Sequence, residues 1–111
     1  MHVTRIDDAA SYDAPGHLAM HMLRLQGREA GPSEAMWMGL SHILPGGGTT
    51  MNASPQEKFY FVLSGRLTVV TEEGEVTLGT WDSCRVGPNE SRCLQNRTNH
   101  PCAVLLTMPL A

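Results

Sequence analysis

The sequence predicts an all-β fold, a sandwich or barrel of about eight short strands. Eleven glycines and seven prolines in 111 residues punctuate the chain too often for long helices. Between them lie short runs dense in β-formers, above all Phe59-Tyr60-Phe61-Val62. Arg66–Thr71 and Glu75–Leu78 flank the turn Glu72-Glu73-Gly74, which reads as a hairpin. The length suits one domain with one modest core.

In chain order, residues 1–16 are polar and mixed and read as an N-terminal arm; residues 17–111 form the domain. His17–Leu25 alternates Leu18, Met20 and Met22 with His17, Ala19 and His21, a strand pattern. Gly27–Glu34 is a loop. Ala35–Leu44 is an apolar strand that Pro45-Gly46-Gly47-Gly48 closes as a tight connection. Thr49–Ser54 reads as a short strand and Glu57–Leu63 as the strongest one. After the hairpin, Gly79–Val86 leads to the turn Gly87-Pro88-Asn89. Ser91–Asn96 and Ala103–Met108 are the last strands, joined by a turn at Arg97–Pro101.

Composition excludes several function classes. Apolar residues at 41 % and charged residues at 17 % exclude a disordered chain. A net charge of −3, with eight scattered basic residues, leaves no footprint for nucleic acid. No apolar run approaches the roughly 20 residues of a membrane span, and Met1–Asp8 lacks a signal-peptide core. Cys84, Cys93 and Cys102 are odd in number and lack CxxC spacing, against a zinc ribbon or a thioredoxin site. Free thiols suit a reducing compartment, so a cytoplasmic protein is expected.

Leu44-Pro45-Gly46-Gly47-Gly48 together with Pro55-Gln56-Glu57-Lys58-Phe59-Tyr60-Phe61-Val62-Leu63-Ser64-Gly65 resembles the first motif of the cupins. Trp81-Asp82, Val86-Gly87-Pro88-Asn89, Arg92 and Asn96 resemble the second. The resemblance spans residues 35–108 and implies a small, type-2-like cupin, a jelly-roll barrel (double-stranded β-helix). In the family, two His and a Glu of the first motif and a His of the second hold a metal. Here these positions fall on Asn52, Ser54, Lys58 and Arg92, so all four ligands are substituted. Protonated Lys and Arg have no lone pair to offer, and Asn and Ser are weak ligands. The expectation is a cupin without metal or other cofactor.

On that fold, Asn52, Ser54, Lys58 and Arg92 face one concavity, and Tyr60 shares the face of Lys58. Buried cations need partners, and none of these positions is acidic, so a small organic acid is the expected ligand. Arg92 would clamp it, with Asn52 and Ser54 orienting it. Burial beside Arg92 would lower the pKa of Lys58, making it a candidate base or Schiff-base amine, with Tyr60 beside it. His42, ahead of the glycine run, is a further candidate acid or base.

Three functions stay open: a metal-independent enzyme of the lyase/decarboxylase or isomerase/cyclase kind, a non-catalytic binding or sensor module, and a metal-dependent, dioxygenase-like cupin with unconventional ligands. His17 and His21 are too far apart on a strand for one ion. Cys93 should face away from Arg92, and Cys84 and Cys102 read as core. Met20, Met22, Met36 and Met38 read as core filling, with an adaptable ligand pocket as the alternative. Phe59 and Phe61, opposite Lys58 and Tyr60, suit a homodimer contact, with the arm crossing to the partner.

Overall fold

The computed structural model of the protein describes all of its residues, Met1–Ala111. Nine strands form the fold: β1 Ser11–Tyr12, β2 His17–Gln26, β3 Met36–Thr49, β4 Lys58–Ser64, β5 Leu67–Thr71, β6 Gly74–Leu78, β7 Ser83–Val86, β8 Arg92–Gln95 and β9 Cys102–Pro109. The only helical pieces are single 3-10 turns at Ile6–Asp8 and Arg28–Ala30. All pairings are antiparallel, in the order β6-β5-β8-β3-β9-β4-β7, with β2 and then β1 added beside β3. The result is a nearly closed, barrel-like sheet.

Register sorts the side chains. Val62, Val104, Ser41 and Met22 stand in one row across β4, β9, β3 and β2; Tyr60, Leu106, Gly39 and Arg24 form the next. These rows face the interior, where Ile43, Val62, Leu67, Val86 and Val104 are almost wholly buried. Each such aliphatic side chain contributes about 2 kcal/mol by leaving water. The opposite face carries Phe61, Leu105, Leu40 and Leu23 in one row and Phe59 in the next.

Two segments depart from the sequence expectation. Pro45–Gly48 does not close the third strand; β3 runs through it to Thr49. Close backbone approach explains this. A Cβ on Gly48 would collide with the Leu94 carbonyl oxygen, and one on Gly47 would come within 2.7 Å of the Ala19 carbonyl oxygen. Only glycine lets β3 press against both β2 and β8 here. Residues 50–54 are no strand either: they touch the sheet through one bridge, Asn52 to Arg92, with backbone hydrogen bonds of 3.0 and 2.9 Å. The methionines also divide: Met20 and Met22 face the core, whereas Met36 is exposed.

Asn96, 1 % exposed, locks the bottom of the fold. Its amide donates to the Ile43 carbonyl at 2.9 Å and the His100 carbonyl at 2.7 Å, and its oxygen accepts from Thr98 N and Oγ1. One bond reaches β3 and three hold the turn at 97–101, so together they fasten that turn to β3 and give the second-motif asparagine a structural role here.

Candidate functional site

Strand alternation turns Lys58 and Tyr60 inward, each 3 % exposed, and leaves Phe59 half exposed. The Asn52–Arg92 bridge brings the 50–54 segment to β8, and Asn89 N donates to the Ser54 carbonyl at 2.7 Å. Lys58 Nζ donates to Ser54 Oγ at 2.7 Å and lies 3.5 Å from the Gln56 carbonyl oxygen. Arg92 Nε donates to the Tyr60 hydroxyl at 2.8 Å. Lys58, Ser54, Tyr60, Arg92 and the backbone of Asn52 therefore form one cluster.

Neither cation of this cluster is in an ion pair. The three pairs in the chain are Arg24–Glu29, Arg85–Glu57 and Arg97–Glu75. Both terminal nitrogens of Arg92 lack a protein partner. Burial, and then the charge of Arg92, pull the Lys58 pKa below the ordinary lysine value, with Glu90 pushing it back up. Burial pushes the Tyr60 phenol up, against the charge and hydrogen bond of Arg92.

Glu90 borders this cluster, and the ligand-position reasoning missed it. The turn at Gly87–Asn89 folds it back, half-buried, with its Oε1 accepting from Gly87 N at 2.9 Å. It acts on both Lys58 and Cys84. Its place two residues before Arg92 was the signal available.

His42 does not join the cluster. It lies between Ser41 and Ile43, both buried, and so points to the opposite face. There it pairs with Ala103 and His21, its ring 6.5 Å from that of His21 and nearly parallel to it. A strand admits no other parity once Ile43 occupies the core. The Asn52 side chain is turned to its own loop, with Oδ1 accepting from Ala53 N at 2.9 Å.

β1 pairs with β2 and sends Tyr12 inward, where its ring meets Trp37 edge-on with centroids 5.9 Å apart. The Arg24 guanidinium lies 3.5 Å from the Tyr12 ring centre and 4.3 Å from that of Trp37, with Nε on Glu29 at 2.7 Å. Burial raises the Tyr12 pKa; Arg24 lowers it, and Tyr60 and Glu29 add to the rise. Cys93 and Cys102 are buried, while Trp81 is 76 % exposed. A cleft of about 500 Å³ runs along Gly46–Gly48 past Thr49, Gln95 and Arg97, outside this cluster.

Residues 39–108 match the cupin domain family (Cupin_2). The chain belongs to the cupins. It is 40 % identical over 108 residues to a Mycobacterium tuberculosis protein named beta-D-galactosidase Rv1717, covering 97 % of this chain and 93 % of that protein. The polyketide cyclase RemF of Streptomyces resistomycificus superposes with a TM-score of 0.88 at 16 % identity, over 100 % of this chain and 80 % of that one. A cupin-superfamily sugar phosphate isomerase of Silicibacter pomeroyi gives 0.81 at 22 % identity, over 96 % and 74 %. Both likenesses are of fold.

The metal that cupins carry does not fit this donor set. Lys58 offers an ammonium and Arg92 a guanidinium, Ser54 Oγ already accepts from Lys58, and Asn52 Oδ1 from Ala53. No three His, Cys, Asp or Glu side chains converge elsewhere in the chain. No helix is long and apolar enough to cross a membrane.

Proposed function

We propose that this cupin works without a metal and holds the carboxylate of a small organic acid between Arg92 and Lys58. One observation carries the reading: two cations, one buried and one half-buried, face a single cluster and neither is ion-paired. Charges taken out of water need an opposite charge, and Arg92 has two nitrogens free to grip a carboxylate in a two-pronged fashion. Lys58, its pKa lowered by burial and Arg92, supplies a proton-transfer group, and Tyr60, held by Arg92, a hydroxyl donor. The neutral Lys58 amine would take the proton from carbon next to a carbonyl and, now an ammonium, join Arg92 in steadying the resulting enolate, which is chemistry of the lyase or isomerase kind.

Calorimetric titration with small carboxylates and their uncharged amides tests this. The acids should bind, the amides should not, and Arg92→Met should weaken acid binding at least about tenfold. Failure of every acid to bind would remove the reading; binding without turnover would leave a non-catalytic binding module.

A second reading follows from the 40 % identical relative: cleavage of a β-D-galactoside. Such cleavage generally uses two carboxyl groups about 5–10 Å apart. At this cluster Glu90 is the carboxylate that acts on Lys58, leaving Tyr60 as the other proton donor. Turnover of a chromogenic β-D-galactoside, abolished by Glu90→Gln, would establish it. A homodimer through the outer face, where Phe59 and Met36 are half exposed, remains part of the proposal, and sedimentation tests it.

A further inference from the structure

Two histidines of the outer face take no part in the Arg92–Lys58 cluster. His2 and His17 each donate a ring N–H to a backbone carbonyl, those of Ala30 and Pro15. The rings of His21 and His42 bond nothing in the chain. They stand directly opposite one another on β2 and β3, His21 exposed and His42 half-buried. Opposed residues of an antiparallel pair have Cβ atoms about 5 Å apart. The two ring centres are 6.5 Å apart, with 20° between the ring planes.

That separation suits one shared ion. A zinc ion sits about 2 Å from an imidazole nitrogen and so about 3 Å from the ring centre, and two rings at a tetrahedral angle then have centres about 5 Å apart. Each ring need lean toward the other by less than about 1 Å, which a small side-chain rotation supplies. An ion arriving from solvent needs no cavity, and the exposure of His21 leaves the way open. The outward residues around the pair, Leu23, Leu40, Leu44 and Ala103, carry no charge to repel it. Imidazole nitrogens favour zinc, copper and nickel over magnesium and calcium. With no third His, Cys, Asp or Glu in reach, the remaining positions of the ion are left to water.

We propose that His21 and His42 form a surface site for one late first-row divalent cation, zinc, copper or nickel. The site lies on the outside of the barrel, apart from the chemistry of the Arg92–Lys58 cluster.

Calorimetric titration with zinc chloride and with magnesium chloride tests this, at pH 8 because ligation needs neutral imidazole. The wild type should bind one zinc ion per chain and no magnesium. His21→Gln and His42→Gln should each weaken zinc binding at least about tenfold, and the double variant little more than either, because one ion needs both rings. His17→Gln, four residues along β2, should change nothing. Substituting the exposed His21 spares the fold, and thermal unfolding checks that His42→Gln does too. A wild type that binds no zinc, zinc binding retained by both single variants, or losses that add in the double variant would overturn the proposal. Zinc lost from Ser54→Ala and kept by both histidine variants would lie in the barrel and overturn the metal-free reading as well.

Discussion

Arg92 Nε and the Tyr60 hydroxyl, 2.8 Å apart, join β8 to β4, two strands that are not neighbours in the sheet. The bond ties the half-buried Arg92 side chain to the buried phenol of Tyr60 and fixes the guanidinium there. Tyr60→Phe should therefore cost about 1.5 kcal/mol of stability in urea unfolding, as for a hydrogen bond to a charged group. It should also weaken acid binding, because Arg92 loses its orientation. Unchanged stability would mean that Arg92 does not rest on the phenol.

Lys58 is held at a cost to the fold. Its native pKa lies below the unfolded value, so the unfolded chain binds more protons than the native one between the two. Stability from this group therefore rises as pH increases from the lowered value toward the ordinary lysine value. Lys58→Met should stabilise the apo-protein at pH 7 by about 1 kcal/mol, remove that alkaline gain and abolish acid binding. A less stable Lys58→Met would mean that the bonds to Ser54 and Gln56 outweigh burial of the charge.

Much of this cluster's geometry was legible in the sequence. Alternation alone separates Lys58 and Tyr60 from Phe59 and Phe61, and the motif spacing put Asn52, Ser54 and Arg92 near them. What escaped depends on partners far along the chain. Pro45–Gly48 stays in a strand because the Leu94 and Ala19 carbonyls come too close for any side chain. The facing of His42 depends on Ile43 occupying the core. Tyr12, Arg24 and Trp37 meet because the arm folds back on β2, which no local pattern announces.

Asn96→Ala should destabilise the fold by about 3 kcal/mol or more, since it leaves the Ile43 carbonyl and the Thr98 backbone N–H without their partner. Thermal unfolding measures this. Asn96→Asp should be nearly as damaging, because the carboxylate meets two carbonyls where the amide donated.

Burial pushes the Cys102 thiol up to about 11 and also raises Cys84, so both stay protonated at pH 8. A thiol reagent at that pH should react with Cys102 only as fast as the chain opens, and with all three cysteines at once in denaturant. Because the native state keeps the Cys102 proton longer than the unfolded chain, this thiol lowers stability as pH rises from its ordinary value toward about 11. Fast stoichiometric labelling of Cys102 in the native protein would contradict its burial.

The most direct test is a crystal structure of the protein with a small carboxylate that binds in calorimetry and a divalent metal salt offered together. The account predicts a carboxylate between the Arg92 guanidinium and the Lys58 ammonium, with no metal at Asn52, Ser54, Lys58 or Arg92. A metal ion coordinated at those positions, or a ligand carboxylate bound away from both cations, would contradict it.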